Sequence, residues 1–274
     1  MSAIAALNLQ TMFVGRHSFC YEVIDSTNLE LRRLAEGKPS VAGNRQRPDL
    51  PEGAVVIADF QTRGRGQQQR VWHSEAGKNL LLSVLLYPRF LGPSQQFALN
   101  EAVSLALYDA VSPEFEAGEL HIKWPNDLLI RSRKVAGILI ENSLSAASSG
   151  KTGEIRRSFI GLGLNVEQTK FPPELPRATS LWREGAKVSR QALLERFLTA
   201  LEQRYLQLRR GDFTGLRKAY LRALFRYEEW ASYKSKDGHI FRGRIRGLEP
   251  MGRLLIEKEE GGVEAFDFKE VEFL

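Results

Sequence analysis

The chain is poor in cysteine and has no long apolar run. Cys20 is the one cysteine in 274 residues, which excludes an internal disulfide and suits a reducing cytoplasm. It sits in FCYEVI, a strand-like run. Because free cysteine is more often buried than reactive, Cys20 reads as a structural thiol of the core. No apolar stretch approaches the ~20 residues that span a bilayer, so no membrane association is expected. The opening MSAIAALNLQTMF lacks a basic segment and a long apolar one, which makes it a poor signal peptide. Aromatic-interleaved basic stripes are also missing. The +6 charge is scattered over RR (32–33), RSRK (131–134) and FRGRIR (241–246). No helix-turn-helix pattern precedes the first strand, so DNA binding is not expected and an anionic ligand or acidic partner is.

What is present fits a soluble globular protein, with one large domain or a large one and a small one. Residues 17–24 read as a strand that runs into DSTN and the helix-like LELRRLAEG. Thr27-Asn28-Leu29-Glu30 has capping-box spacing, and Gly37 supplies a stop. Such a helix start offers free N–H groups to a ligand, or only to its own cap. Residues 38–53 read as a loop, 54–61 as a strand and 77–87 as a buried strand. TRGRGQQQRVWHS (62–74) is a loop in which Gly64 and Gly66 allow backbone N–H groups to converge on an anion. Residues 94–112 have helical spacing, with Ser94 as cap.

Residues 121–141 hold the densest signal. Apolar runs LLI (128–130) and VAGILI (135–140) flank a basic turn, RSRK (131–134). Lys123, Asn126, Asp127 and Lys134 cluster where the apolar pattern breaks, at strand ends. Gly137 inside a strand marks a close approach of ligand or backbone. Residues 142–154 read as a loop. In SFIGLGLNV (158–166), Gly161 and Gly163 leave one sheet face bare and Asn165 closes it. An amphipathic helix follows over 189–208, capped by Ser189, with Leu194, Leu198, Leu201, Tyr205 and Leu208 as its buried stripe. A second helix spans about 214–226. A boundary near Trp230 separates residues 1–230 from 231–274, whose period-two strands and Gly turns read as a small barrel.

KWPND, six residues and then KVAGIL resemble the signature of biotin–protein ligases, and the likeness extends over about residues 17 to 274. The resemblance implies an α+β fold: a mixed β-sheet with helices on one face, plus an SH3-like C-terminal domain. It implies ATP and Mg²⁺ as co-substrate and ion, with biotin activated as biotinyl-5′-AMP and passed to a lysine of a biotin carboxyl carrier protein. Lys134 and Arg65 carry over as catalytic. Ser26, Thr27, Asn28, Gln61, Arg65, Gly66, Gln67, Lys134 and Gly137 carry over as biotin contacts. Arg70, Trp72, Asn126, Asp127 and Asn165 carry over to the nucleotide, with Asp127 also to Mg²⁺ and Trp72 and Trp124 as apolar walls. Gln67, Gln68 and Gln69 stand where two arginines and a glycine are frequent, which bears on how tightly the loop closes. A lipoate ligase or an octanoyltransferase could share the core, though the transferase would need Cys20 as its nucleophile. Members that are also repressors carry an extra N-terminal DNA-binding domain, and about 16 residues before the first strand are too few for one. Family analogy allows a homodimer through a sheet edge near 77–90.

Overall fold

The computed structural model describes residues 9–41, 50–67, 70–145 and 153–274. Parts of the two expected loops, 42–49 and 146–152, lie outside the described residues, as do Gln68 and Gln69. The chain runs β1 (Ser18–Ile24), α1 (Thr27–Ala35), β2 (Val55–Gln61), β3 (Asn79–Leu86), α2 (Gln96–Val111), β4 (Leu120–Lys123), β5 (Asp127–Ile130), β6 (Arg133–Leu144), β7 (Ile155–Asn165), α3 (Arg190–Arg209) and α4 (Phe213–Ala223). Then come β8 (Trp230–Ser235), β9 (Ile240–Leu248), β10 (Leu254–Lys258), β11 (Val263–Phe266) and β12 (Val271–Phe273).

The first sheet is mixed, in the order β1-β2-β3-β7-β6-β5-β4, and β1 and β2 pair parallel. Strand alternation divides its residues between two cores. Val55, Ile57, Leu80, Leu82, Ile160 and Leu162 pack with α2 and α3 on one face. Val56, Ala58, Leu85 and Phe159 pack with Leu31 and Leu34 of α1 on the other. The mixed sheet with helical cover is as expected; the expectation that helices keep to one face needs extending, because α1 lies opposite α2 and α3. The α3 stripe is buried throughout, and Ser189 caps the helix by accepting from the Ala192 N–H at 3.2 Å. Each such buried side chain contributes about 1.5–3 kcal/mol relative to exposure.

Four expectations are corrected. Cys20 is exposed, because β1 is the sheet edge and Cys20 points away from α1, opposite to Phe19 and Tyr21, on the side where α2 and α3 do not reach the edge. The capping box does not form: Ser26 is the N-cap and makes no side-chain bond, while Glu30 lies one turn in and accepts from Tyr21 and Arg33. Ser94 belongs to a single 3-10 turn, Pro93–Gln95, and the residue before α2 is Gln95. The strand at 77–90 is not a sheet edge: β3 lies between β2 and β7 and is buried along its whole length.

The second sheet has five antiparallel strands, β11-β10-β9-β8-β12, consistent with an SH3-like barrel. Among the contacts that fasten it to the first are two made by side-chain donors. Trp124 Nε1 donates to Gly252 O at 2.9 Å. Arg217 of α4 pairs with Glu101 of α2 while its Nη1 donates to Leu248 O at 2.7 Å. No helix among the described residues is long and apolar enough to cross a membrane.

Burial pushes the Glu101 carboxyl up to about 7, against the pull of Arg217. A carboxyl raised in the folded state binds more protons folded than unfolded. Stability from this group is therefore full below about pH 4.5 and falls as pH rises towards 7. Between those two values the stability of wild type relative to Glu101→Gln, read from thermal unfolding of both proteins, should fall as pH rises. Equal slopes would refute it.

Candidate active site

Strand register builds the site on the α1 face of the first sheet. Residues directly opposite in an antiparallel pair point the same way. Ala58 faces Leu81, Leu81 faces Gly163, Gly163 faces Gly137 and Gly137 faces Asp127, one row across five strands. Its third and fourth members, Gly163 and Gly137, carry no side chain. A Cβ on Gly163 would lie 2.4 Å from Trp72 Cε2, and one on Gly137 would lie 3.3 Å from both Trp72 Cζ3 and Lys134 Nζ. Trp72 therefore lies flat on the bare patch, brought there by a small hairpin. Trp72 N–H donates to Gly64 O at 2.9 Å, Gly66 N–H to Arg70 O at 2.7 Å, and Arg65 and Val71 form a bridge.

Lys134 reaches this face because of a β-bulge. The β5–β6 pairing goes from Leu128 with Ala136 to Leu129 with Lys134, skipping Val135. In unbroken alternation Lys134 would point with Ala136 and Ile138 into the α2 core. The extra residue turns it to the side of Asp127 and Gly137. Its Nζ lies 2.6 Å from Asp127 Oδ1 and 5.8 Å from the Trp72 ring. Its backbone is held by the segment 177–179, with Lys134 N–H on Arg177 O at 2.8 Å and Thr179 N–H on Lys134 O at 2.9 Å.

At the start of α1 a hydrogen-bonded chain fixes the DSTN residues. Gln61 Oε1 accepts from the Thr27 N–H at 2.7 Å and from its hydroxyl at 3.2 Å. Ser83 donates to Asn28 Oδ1 at 2.6 Å and sits 2.7 Å from Thr27 Oγ1. Asn28 Nδ2 donates to Glu141 at 3.1 Å, and Glu141 pairs with Arg65 at 3.3 Å. The Asn28 amide is thus committed at both ends within the protein, whereas Gln61 Nε2, beside Gly64, has no hydrogen-bond partner among the described residues.

The expected residues divide accordingly. Ser26, Thr27, Asn28, Gln61, Arg65, Trp72, Asp127, Lys134, Gly137 and Asn165 lie on or border this one face. Asn165 donates to Thr179 O at 2.9 Å and leaves a buried Oδ1 without a partner, as Trp72 leaves a buried Nε1. Gly66, Gln67 and Arg70 lie along the hairpin. Asn126 has a tethering geometry: its Nδ2 donates to Ile138 O, joining the β4–β5 turn to β6. Trp124 is not a wall of this face; it is buried at the junction of the two sheets, 5.2 Å from the Phe268 ring.

Beyond Lys134 opens a cleft of about 380 Å³, lined in part by Lys123, Asp127, Lys134, Arg177, Arg226 and Phe273. Burial pushes the Lys123 ammonium below the usual lysine range against the pull of Asp127, and Arg177 and Lys134 add to the fall. Four cationic side chains against the Asp127 carboxylate and the C-terminal Leu274, whose oxygen accepts from Arg226 at 2.7 Å, leave an excess of positive charge. A larger cavity of about 630 Å³, between α2, α4 and Pro250, shares no residue with this cleft. Sequence reasoning missed Ser83, Glu141 and Arg177, and gave Lys123 no role. Ser83 had no visible signal inside an apolar strand; Glu141, two strand steps beyond Leu139, could have been found by following the face.

The model of the Biotin/lipoate A/B protein ligase family matches residues 22–155. The chain is 33% identical over 268 residues to the bifunctional ligase/repressor BirA of Bacillus spizizenii, covering 92% of this chain and 73% of that protein. It is 30% identical over 245 residues to the biotin–[acetyl-CoA-carboxylase] ligase of Paracoccus denitrificans, covering 86% and 92%. Its fold matches the biotin protein ligase of Aquifex aeolicus, solved in complex with biotin and ATP, at a TM-score of 0.71 and 23% identity over 94% of this chain and 99% of that one.

The row of contacts makes one change diagnostic. Gly163→Ala should push the Trp72 indole off the sheet, at a cost of about 1–3 kcal/mol for overpacking. Near-UV circular dichroism should lose Trp72 intensity relative to wild type, with Trp72→Phe as the reference. An unchanged spectrum would mean that the indole is not seated on Gly163.

Proposed function

The chain belongs to the biotin/lipoate A/B protein ligase family, and on that premise we propose how its residues carry out ATP-dependent biotinylation of a carboxylase carrier protein. The chemistry sets the requirement. Biotin's carboxylate is a poor electrophile, and joining it to a lysine amine needs prior activation. Attack on the α-phosphate of ATP gives biotinyl-AMP and pyrophosphate. The carrier lysine then attacks the mixed anhydride and AMP leaves. The first step drives an anion onto a polyanion. At 4 Å and an effective dielectric of ~20, one unit pair repels by about 4 kcal/mol. Fixed cations are therefore the main demand on the site.

The observation that carries the assignment is Lys134 on the glycine-lined face, 2.6 Å from Asp127 and above the Trp72 ring. We read Lys134 as the bridge between carboxylate and α-phosphate, stabilising charge as it builds in the transition state. Arg65 and Arg70 hold carboxylate and phosphates. Ser26, Thr27 and the free Nε2 of Gln61 meet the ureido ring, and the unpaired Asn165 Oδ1 and Trp72 Nε1 meet the nucleotide. Asn28 and Asn126 act through geometry, holding Thr27 and the β4–β5 turn in place. Asp127 is the one carboxylate side chain among the cleft residues. A single carboxylate suits a magnesium ion that arrives on the triphosphate and keeps most of its waters, supplying charge neutralisation there. Among the described residues no cluster of His, Cys, Asp or Glu could cage a metal.

We read residues 1–230 as the catalytic unit and 231–274 as an SH3-like part that walls the nucleotide side, since Phe273 lines the cleft with Lys134. The reaction is placed in the cytoplasm, without DNA as a partner. No dimer surface is assigned.

Incubation with ATP, Mg²⁺, biotin and a carrier domain should shift the carrier lysine by the mass of biotin. Pyrophosphate should exchange into ATP with biotin and not with lipoate; exchange driven by lipoate alone would make the protein a lipoate ligase. Lys134→Ala should slow biotinyl-AMP formation by roughly 10²-fold or more, and a wild-type rate in single-turnover assays would remove Lys134 from its role. Gln67 replaces a forked cation with a neutral amide. The adenylate should therefore escape and label bystander lysines, and Gln67→Arg should reduce that labelling. Equal bystander labelling by the two forms would show that Gln67 does not loosen the loop.

A further inference from the structure

The larger cavity, of about 630 Å³, has no part in the reaction described above. It lies between α2, α4 and the β9–β10 turn, and its volume is that of a small-molecule site. Ala98, Phe213, Leu221 and Pro250 give it apolar walls. Glu101 and Arg217 also line it, but these two are committed to each other, and Arg217 Nη1 donates to Leu248 O at 2.7 Å. Lys218 and Arg222 differ. Both line the cavity and both are exposed, and neither has an ion-pair or hydrogen-bond partner among the described residues.

We propose that this cavity is a binding site for an amphipathic organic anion: an aliphatic carboxylate whose chain lies against Phe213, Leu221 and Pro250 and whose head group meets Lys218 and Arg222.

The charge balance selects the sign of the ligand. With Glu101 and Arg217 cancelling, the two free cations set the character of the site. Lys218 and Arg222 are four residues apart on α4, so they stand one turn apart on the same face, where like charges repel. An anion between them turns that repulsion into two attractions, and the Arg222 guanidinium offers a fork that fits a carboxylate. The rest of the lining selects the body. Phe213, Arg217 and Leu221 recur every fourth residue, a second stripe of α4 along the cavity, and Phe213 and Leu221 are only partly covered. A highly charged polyanion would leave that apolar surface unused, and a neutral chain would leave the cations unanswered. The position adds a consequence. The walls belong to two helices of the first unit and to a turn of the C-terminal sheet, so a ligand held by all three binds only the assembled junction and stabilises it. The inference goes beyond the ligase reading and stands without it, because its test needs neither biotin nor ATP.

The test is titration calorimetry of the full chain with octanoate and decanoate, and with decyltrimethylammonium as the probe of opposite charge. Decanoate should bind at one site per chain. Each added methylene that becomes buried should tighten binding by up to about fourfold, so decanoate should exceed octanoate by about three- to tenfold. Lys218→Met and Arg222→Met keep an apolar stem and remove the charge. Each should weaken decanoate by about two- to fivefold, the range for an exposed pair, while melting as wild type, since neither side chain has a partner to lose. Lys236→Met, on the β8–β9 turn away from the cavity, should leave affinity unchanged. Hydrogen exchange with decanoate bound should slow at α4 and at residues 249–252. Absence of decanoate binding would overturn the proposal, as would equal binding of the ammonium probe. Equal weakening by Lys236→Met, or protection confined to other elements, would show adsorption elsewhere and overturn it. Binding of an acidic peptide at these residues with no response to decanoate would give the cavity to a protein partner and overturn it too. None of these results bears on biotin transfer.

Discussion

The site depends on a stretch of sheet being flat. Gly163 and Gly137 face each other across β7 and β6, and an indole lies where two side chains would otherwise stand. Every other feature is arranged around that surface. The pairing of residues 64–66 with 70–72 carries Trp72 onto it, the bulge at Val135 brings Lys134 to its rim, and the Gln61–Thr27–Ser83 hydrogen bonds close the far side. A side chain at either glycine meets the ring before it meets any substrate.

The electrostatics follow the same economy of surface. The face carries few charges, and its main cations are held by resident carboxylates: Lys134 by Asp127 and Arg65 by Glu141. Half-exposed pairs of this kind add little to folding stability. Their value lies in placement, because a long flexible side chain tied at one end has fewer positions to lose when substrate arrives. The cleft beyond Lys134 shows the complementary situation. Lys123, Arg177 and Arg226 share it with a single carboxylate side chain, and burial holds the Lys123 ammonium below the usual lysine range.

Much of this was legible in the sequence, and the reasons for success and failure are specific. The glycine alternation in SFIGLGLNV announced a bare face, since a period of two assigns Gly161 and Gly163 to one side whatever the partners are. The α3 stripe was legible for the same reason at helical period. Lys134 was recognised from its motif and not from its geometry, because a bulge breaks alternation without any residue in the sequence announcing it. Cys20 was misplaced since an edge strand and an interior strand share a composition, and only the sheet order distinguishes them. The same blindness made β3 look like an available edge. The capping box at Thr27 failed by one position: Glu30 had better partners in Tyr21 and Arg33, contacts that depend on how α1 lies over β1. Ser83 and Glu141 were overlooked because each is a lone polar residue in an apolar run, and their meaning comes from strands distant in sequence.

The turn Trp124-Pro125-Asn126 is gripped from several directions at once. The indole reaches Gly252, the Pro125 carbonyl receives Asn100 at 2.6 Å and Tyr220 at 3.2 Å, and Asn126 reaches Ile138. Asp127, the tether of Lys134, is the very next residue. Slack introduced at the Gly252 corner of the C-terminal sheet is therefore transmitted to the ammonium group through one tripeptide. Inactive alleles recovered by random mutagenesis would include substitutions there that touch neither vitamin nor nucleotide, and such proteins would remain folded while their turnover fell.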